Sequence, residues 1–273
     1  MAKKKAQRAS AVPFKPCSIK VLPKSQWIKA ADTAVAHNPL NRPAFGQLMR
    51  AVPRAILPPE HLALLTTKYW GIKGVKLTVG FLDTASAALK KRILSHMNAW
   101  NKYCNVQFVL SNSSPQVRIS FSTPPPDDGY WSYLGTDILH VGANEPTMNL
   151  DSFTMDTPES EYHRVVRHET GHTLGFPHEH LRAEIISKID KEKAIAYFMQ
   201  TQGWSRQEVI DQVLTPIEKS ALNATAKADQ HSIMCYGLPG NIMKNGKAVP
   251  GGTDIDSMDQ KFAALVYPKA KKK

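Results

Sequence analysis

The chain has 273 residues, of which 42% are hydrophobic and 8% aromatic, and it carries a formal net charge of +12. This composition is typical of an ordinary globular protein and not of a disordered chain, and the length suits one large domain or two modest subdomains. No apolar run approaches the ~20 residues of a membrane-spanning helix, and three widely spaced cysteines without a CxxC pair argue against a disulfide framework.

Much of the positive charge lies at the two ends of the chain. The residues concerned are Lys3, Lys4, Lys5 and Arg8 at one end and Lys269, Lys271, Lys272 and Lys273 at the other. These ends are either solvated tails or contacts for nucleic acid or another anionic surface. No apolar segment follows the first basic cluster, so it does not predict a secretory signal peptide. We therefore expect a cytoplasmic protein or one that is exported by a non-classical route.

Residues 1–66 are rich in proline and basic side chains. The prolines leave room only for short helices, such as one near residues 45–51. We interpret this region as an extended arm or pro-segment that packs on the domain. Regular structure is expected from about Lys68 onwards.

The next part of the chain predicts a strand, a long helix and two further strands. The predicted strands span residues 75–83, 106–111 and 116–122. Residues 85–104 place apolar side chains at helical spacing, and Asp83 or Thr84 can cap the start of this helix. Together these elements predict half of a mixed sheet with one backing helix.

Four more helices are expected further along the chain. Their capping signals are Thr157 with Pro158 for the first, Asp190 for the second, SRQE (205–208) for the third and SMDQ (257–260) for the last. The first of these helices should end at Gly175 and the last before Pro268.

The stretch HETGHTLGFPHEH runs from His168 to His180. On a helix, His168 and His172 lie four residues apart, so both imidazoles project from one face and can share a metal ion. Glu169 lies beside them and can reach a metal-bound water without being a ligand. A histidine pair in the core or on the surface is the alternative interpretation.

The continuation of the stretch favours the metal site. Gly175 can adopt a positive φ, so the chain can turn sharply there and bring His178 back towards the first two histidines. Three neutral imidazoles leave a fourth position open for water, which is typical of a catalytic zinc site and not of a closed structural one.

The pattern HExxHxxGxxH resembles the signature of the metzincin zinc endopeptidases, which is followed by a Met-turn. SIMCYG (232–237) matches that turn, and the resemblance implies that Met234 forms the hydrophobic base beneath the metal. Taken alone, Met234 would be a core methionine.

Among metzincins the chain is most similar to the astacin-like group, and we expect it to belong to a bacterial branch of that group. The features shared with that group are Gly175-Phe176 after the second histidine, Glu179 after the third, Tyr236 two residues past Met234, and GYWSYLGT (129–136). The resemblance covers roughly residues 68–268. Departures are Cys235 where histidine is common, a partly kept arginine-aspartate run at 181–184, and the absence of the usual disulfide cysteines.

The resemblance implies an α+β, zincin-like fold. We expect a twisted mixed sheet with a backing helix and an active-site helix, then an irregular C-terminal subdomain that ends in a helix. The implied catalytic domain spans 67–268, divided into 67–175 and 176–268, between the arm at 1–66 and a basic tail at 269–273. An extended substrate would pair with a sheet edge above the cleft. The resemblance places the strand nearest the active-site helix around residues 137–141.

The implied activity is zinc-dependent endopeptidase cleavage of a protein or peptide. One Zn²⁺ would be held by His168, His172 and His178, and Glu169 would act as the general base. In the astacin-like group a tyrosine at the position of Tyr236 is a labile zinc ligand that swings to stabilise the oxyanion. The alternative is a non-catalytic zinc-binding protein whose basic arms contact nucleic acid or an anionic surface.

Several residues outside this set have two interpretations. Cys17 is either a pro-segment thiol that coordinates zinc, as in some latent metzincins, or an unpaired packing cysteine. In the resemblance, Glu179 would meet the new N-terminus after removal of a pro-segment. Four other histidines are expected to be surface or supporting groups and not ligands: His140, His163, His180 and His231.

Overall fold

The computed structural model describes residues 17–43, 63, 65–125, 127–216 and 228–270. The helix predicted near 45–51 and most of the terminal basic residues lie outside these ranges. Within them, every helix is too short or too polar to cross a membrane.

Six strands form a single mixed sheet with the order β1-β5-β6-β4-β2-β3. They are β1 (Cys17–Lys20), β2 (Val75–Phe81), β3 (Val106–Leu110), β4 (Val117–Ser120), β5 (Tyr130–Tyr133) and β6 (Met148–Leu150). Only the β5–β6 pair is antiparallel among these strands, and the other four pairs are parallel. The three strands predicted in the first half of the domain are confirmed as β2, β3 and β4.

The helices of the described residues begin with α1 (Trp27–His37) and α2 (Ala87–Met97). The helix α3 consists of Glu159–Glu161, a π-helical turn at Tyr162–Val166 and Arg167–Thr173. The later helices are α4 (Ala183–Ile186), α5 (Lys191–Gln202), α6 (Arg206–Val209, continued by a π-helical turn at Ile210–Leu214) and α7 (Ser257–Val266).

The core lies between the sheet and the two helices α2 and α3. Large side chains from the sheet, from both helices and from the 3-10 turn after α2 are fully buried there, among them Leu77, Ile93, Trp100, Phe108 and Tyr162. This arrangement confirms the expected α+β fold with one backing helix and one helix that carries the histidines.

The arm holds more regular structure than the prolines suggested. Helix α1 has 11 residues, and strand β1 joins the edge of the sheet beside β5. The prediction of short helices only was wrong because Pro23 and Pro39 flank α1 and leave its interior free of proline.

Two predicted caps fall at other residues. Ser86, and not Asp83 or Thr84, caps α2 by accepting a hydrogen bond from the Leu89 N–H at 3.1 Å. Asp83 is instead held by strand β4, because its carboxylate accepts from the Ser120 hydroxyl at 2.7 Å.

Helix α3 has no side-chain cap, because Pro158 occupies the cap position and Thr157 bonds back to the Thr154 N–H at 3.0 Å. Asp190 and the Ser205–Glu208 capping box are confirmed. The last capping box begins one residue earlier than predicted, at Asp256, with Asp259 as its partner.

Candidate metal centre and substrate cleft

Three histidines converge at the C-terminal half of α3, as predicted. The Nε2 atom of His178 lies 3.2 Å from Nε2 of His168 and 2.9 Å from Nε2 of His172. Nitrogen ligands at a tetrahedral zinc ion are about 3.3–3.4 Å apart, because each Zn–N distance is about 2.0–2.1 Å. The three side chains are at most 4% exposed. The trio therefore fits one zinc ion.

Hydrogen bonds fix the orientation of two of these rings. Nδ1 of His168 donates to the Ile233 carbonyl at 2.6 Å, and Nδ1 of His172 donates to the Phe176 carbonyl at 2.8 Å. Each Nε2 is then left with its lone pair facing the other histidines, as a metal ligand requires. Burial lowers the pKa of all three imidazoles, that of His168 to about 4, so all are neutral at pH 7.

Gly175 makes the turn that brings His178 back. Its φ is +91°, and a β-carbon there would lie 3.0 Å from the Lys68 carbonyl oxygen. The Phe176 N–H bonds to the Gly171 carbonyl at 2.9 Å across the end of the helix, as in a Schellman motif. The predicted role of this glycine is confirmed.

Glu169 is fully buried beside the histidine trio. Within the part of the chain that the structure describes, neither oxygen of its carboxylate has a hydrogen-bond partner. Burial raises the pKa of Glu169 to about 8, against the opposing effects of the neighbouring Cys17 thiol and of the Arg164 guanidinium. A carboxylate with a pKa near neutrality can both accept and release a proton at physiological pH.

The turn at residues 232–237 lies directly beneath the trio. The Met234 carbonyl accepts from the Glu179 N–H at 2.8 Å, one residue past His178. From below, the Asp259 carboxylate of α7 accepts from the Ser232 hydroxyl at 2.6 Å and from the Ile233 N–H at 2.9 Å. The C-terminal helix therefore supports the turn that bonds to His168 and to Glu179.

Tyr236 packs against the third histidine. Its ring centroid lies 4.4 Å from that of His178 and 4.1 Å from that of His180, on which it stacks at 15°. Burial raises the pKa of Tyr236, so the phenol is neutral. Its hydroxyl has no hydrogen-bond partner among the described residues and can donate to a group that enters the site.

The arm reaches the same site. Cys17 is 2% exposed, and its sulfur and one ligand atom each of His168 and Glu169 all lie within 4.8 Å of one another. Burial raises the pKa of the Cys17 thiol, as does the neighbouring Glu169 carboxylate. Cys17 is therefore an unpaired cysteine that packs in the core and also lies beside the zinc ligands, so its position is compatible with both interpretations.

The strand that contacts the histidine-bearing helix is β5 (Tyr130–Tyr133), whose Ser132 hydroxyl lies 3.3 Å from that of Thr173, and not a strand around 137–141 as the resemblance placed it. Residues Gly135–His140 form a 3-10 helix, and Gly135 has a φ of +48° against the backbone of Lys68. The left-handed glycine ends the extended backbone of β5 before the predicted position.

Glu179 lies on the far side of the trio, in a cavity of about 50 Å³ that Asp229 and Asp259 also line. Its carboxylate accepts from Arg182 at 3.1 Å and from the Asp229 N–H at 3.0 Å. Arg182 is therefore the cationic partner of Glu179 in the chain with its arm in place.

The other histidines are not ligands of the trio. Nε2 of His180 bonds to the Gln212 carbonyl at 2.9 Å, and Nε2 of His140 bonds to the Thr33 hydroxyl at 2.9 Å. His231 is exposed. These positions agree with the expected supporting or surface roles.

Sequence inspection missed a second group of close ligand atoms, formed by His96, Glu159 and His163. The Glu159 carboxylate already pairs with the Arg92 guanidinium at 2.6 Å, and His163 pairs with Asp254 at 2.9 Å. Since a cation already neutralises the carboxylate, the group is better described as an ion-pair cluster that joins α2 to α3.

The chain is similar in sequence and in structure to known proteins. The family model described as Astacin, a peptidase family, matches residues 65–247. Zinc metalloproteinase nas-27 of Caenorhabditis elegans is 25% identical over 175 residues, which are 64% of this chain and 35% of that protein. The chain thus spans about a third of the length of this curated relative.

Two solved structures of myroilysin are 31% identical in sequence, and each match covers 74% of this chain. They cover 97% and 86% of the myroilysin chains, with TM-scores of 0.68 and 0.56.

Proposed function

The chain belongs to the astacin family of zinc peptidases, and we propose that it is a zinc-dependent endopeptidase that its N-terminal arm keeps latent. The observation that carries the activity is the buried Glu169 carboxylate beside three converging imidazoles. A non-catalytic zinc-binding protein with basic arms would need no carboxylate there, so this alternative is not favoured.

The side chains of the site suit peptide hydrolysis. Zinc held by His168, His172 and His178 would supply a Lewis acid and lower the pKa of a bound water to about 7. Glu169 would accept the proton from that water and pass it to the leaving amine. The Tyr236 hydroxyl would donate a hydrogen bond to the oxyanion that develops on the scissile carbonyl.

The edge of β5 that faces away from β6 is the natural place for an extended substrate, because main-chain hydrogen bonds there place few requirements on the substrate's sequence. In this chain β1 already occupies that edge, with Cys17 paired to Tyr130 and Lys20 to Tyr133. A protein or peptide substrate would therefore need the arm to leave, which supports the interpretation of residues 1–66 as a pro-segment.

The position of Cys17 adds to this latency. Its sulfur lies among the atoms that would bind zinc and the activated water. A thiol there would compete with water for the fourth coordination position, since thiolate is a favoured zinc ligand.

The test is hydrolysis of a mixture of unfolded proteins by the full-length chain with added zinc. We expect Cys17→Ser to hydrolyse the mixture faster than the unaltered chain, whereas Cys104→Ser, at another buried cysteine, should not. Glu169→Gln in the Cys17→Ser background should lose activity by at least ~100-fold but still bind one zinc.

Glu192→Gln, on the exposed side of α5, is the control for loss of a carboxylate. Hydrolysis that persists in the Glu169 variant would contradict the proposed role of Glu169. No hydrolysis by the unaltered chain, by Cys17→Ser, or by Cys17→Ser whose arm has been cleaved with trypsin before the trypsin is inhibited, would contradict the endopeptidase proposal.

A further inference from the structure

Gln212 lies on the π-helical turn that continues α6, and its side chain reaches the arm strand. The Ile19 N–H donates to Oε1 of Gln212 at 3.3 Å, and Nε2 of Gln212 donates to the Ile19 carbonyl at 3.2 Å. One side-chain amide thus satisfies both main-chain groups of a single residue. Within the residues that the structure describes, this amide makes no other hydrogen bond.

The two bonds lie on the edge of β1 that faces away from β5. In an extended chain the N–H and C=O of one residue point to the same side, and those of its neighbours point to the other. Because the Ile19 groups bond to Gln212, the neighbouring residues are the ones that face β5. The arm is therefore held from both edges, by a strand on one side and by a side-chain amide on the other.

The position of Gln212 is tied to the metal centre through His180. Nε2 of this fully buried imidazole donates to the Gln212 carbonyl at 2.9 Å, two residues beyond the ligand His178. The same ring stacks on Tyr236. The position of Gln212 relative to the zinc ligands is therefore fixed by this contact.

We infer that Gln212 is a main-chain clamp for any extended peptide in the cleft, which holds the arm in the latent form and the substrate after the arm leaves. This inference rests on the proposed endopeptidase function and names a residue that binds its substrate. The ligand is the N–H and C=O pair of one peptide residue, whatever its side chain.

The chemistry of the amide suits both occupants. Reversal of the direction of a peptide exchanges the positions of its N–H and C=O, and a glutamine amide matches either order by rotating about its last torsion. A proline at the clamped position would lose one of the two bonds, because it has no N–H. The clamp thus accepts most sequences and disfavours proline at one place.

The first experiment measures how tightly the arm is held and needs no catalysis. The full-length chain, loaded with zinc, is treated with iodoacetamide, and labelling of Cys17 is followed by peptide mapping. Loss of two neutral hydrogen bonds should make Cys17 label about tenfold faster in Gln212→Ala. Gln207→Ala is the matched control, because Gln207 is an exposed residue on the same helix whose side-chain amide donates to Asp211 of that helix.

The second experiment measures substrate binding in the Cys17→Ser background. For an extended peptide, Gln212→Ala should raise KM about tenfold and leave kcat within about threefold, as expected for lost hydrogen bonds that do not change during the reaction. Gln212→Glu keeps the size of the side chain, loses the donor and adds a negative charge that repels the clamped carbonyl, so it tests the clamp if the alanine variant fails to fold.

Labelling and KM that both stay within about twofold of the unaltered chain would overturn the inference, since the loss of two hydrogen bonds should change each by more. Faster labelling with an unchanged KM would overturn the substrate role. If no variant hydrolyses the peptide, the proposed function fails, and the labelling comparison still decides whether Gln212 clamps an extended chain.

Discussion

Gly171 and Met234 are in direct contact between the histidine-bearing helix and the turn beneath it. A β-carbon on Gly171 would overlap the sulfur of Met234 and come within 3.4 Å of the Trp100 ring. The helix and the turn approach closely because this position carries no side chain. Met234 is only 4% exposed, so its side chain has little room to withdraw.

We predict that Gly171→Ala lowers the free energy of unfolding by about 1–2 kcal/mol. Overpacking of a buried contact costs roughly 1–3 kcal/mol, and the better helix propensity of alanine returns up to about 1 kcal/mol. Urea unfolding of the zinc-loaded chain measures the change. The double variant Gly171→Ala/Met234→Ala should lose less unfolding free energy than the two single variants lose when added together. Strict additivity would show that the two residues do not interact.

Tyr236→Phe tests the hydroxyl without changing the stacked ring. We expect kcat to fall about 100-fold with KM and zinc content unchanged, because in the proposed mechanism the hydroxyl acts only on the developing oxyanion. Stability should hold, since the hydroxyl has no protein partner among the described residues. Steady-state kinetics in the Cys17→Ser background give the answer, and a rise in KM at constant kcat would assign the hydroxyl to substrate binding instead.

The local geometry of the metal site could be predicted from the sequence. Helical spacing brings His168 and His172 to one face, and the positive φ of Gly175 turns the chain so that His178 joins them. These relations involve residues that are close in the sequence, so the chain between them leaves few alternatives. The astacin-like resemblance, the α+β fold and the zinc trio are confirmed for this reason.

Longer-range relations could not be predicted. The pairing of β1 with β5 places Cys17 opposite Tyr130. The segment CSIK is too short for its alternation of apolar and polar residues to predict a strand. Gln212 likewise bonds to Ile19 across 193 positions, and a lone glutamine carries no sequence signal. Asp83 is a plausible helix cap by its place in the sequence, but its partner Ser120 is 37 residues away and has no local signal.

The Asp259 carboxylate should make stability depend on pH. Burial raises the pKa of Asp259 from 3.8 to about 7, so the folded state binds this proton more tightly than the unfolded state does. Below pH 3.8 both states are protonated and there is no penalty. Between pH 3.8 and about 7 the unfolded state loses its proton first, so stability falls as the pH rises, and above that range the penalty is constant.

We therefore predict that Asp259→Asn flattens the dependence of unfolding free energy on pH between about 4 and 8 by about 2–4 kcal/mol. Urea unfolding at several pH values, compared with the unaltered chain, measures the slope. Asp156→Asn, at an exposed residue, is the control and should keep the original slope. An equal slope in Asp259→Asn would mean that this carboxyl titrates as it does in the unfolded chain.

Removal of zinc should destabilise the whole domain and not only the cleft. The trio joins α3 to the segment after Gly175, and His168 also bonds to Ile233 of the turn below, so an ion bound there connects three parts of the chain. A ligand that binds only the folded state adds about 4 kcal/mol of stability at about 1,000 times its Kd. Near neutral pH we expect chelation to lower Tm by roughly 10 °C, on the scale of a few degrees per kcal/mol for a domain of this size.

Two histidine variants locate the stabilising ion. His178→Ala should start near the chelated Tm and respond little to zinc, because it removes one of the three ligands that close the site. His231→Ala, at an exposed histidine, is the control and should respond like the unaltered chain. If His178→Ala gained as much from zinc as the unaltered chain does, the stabilising ion would have to lie outside the trio.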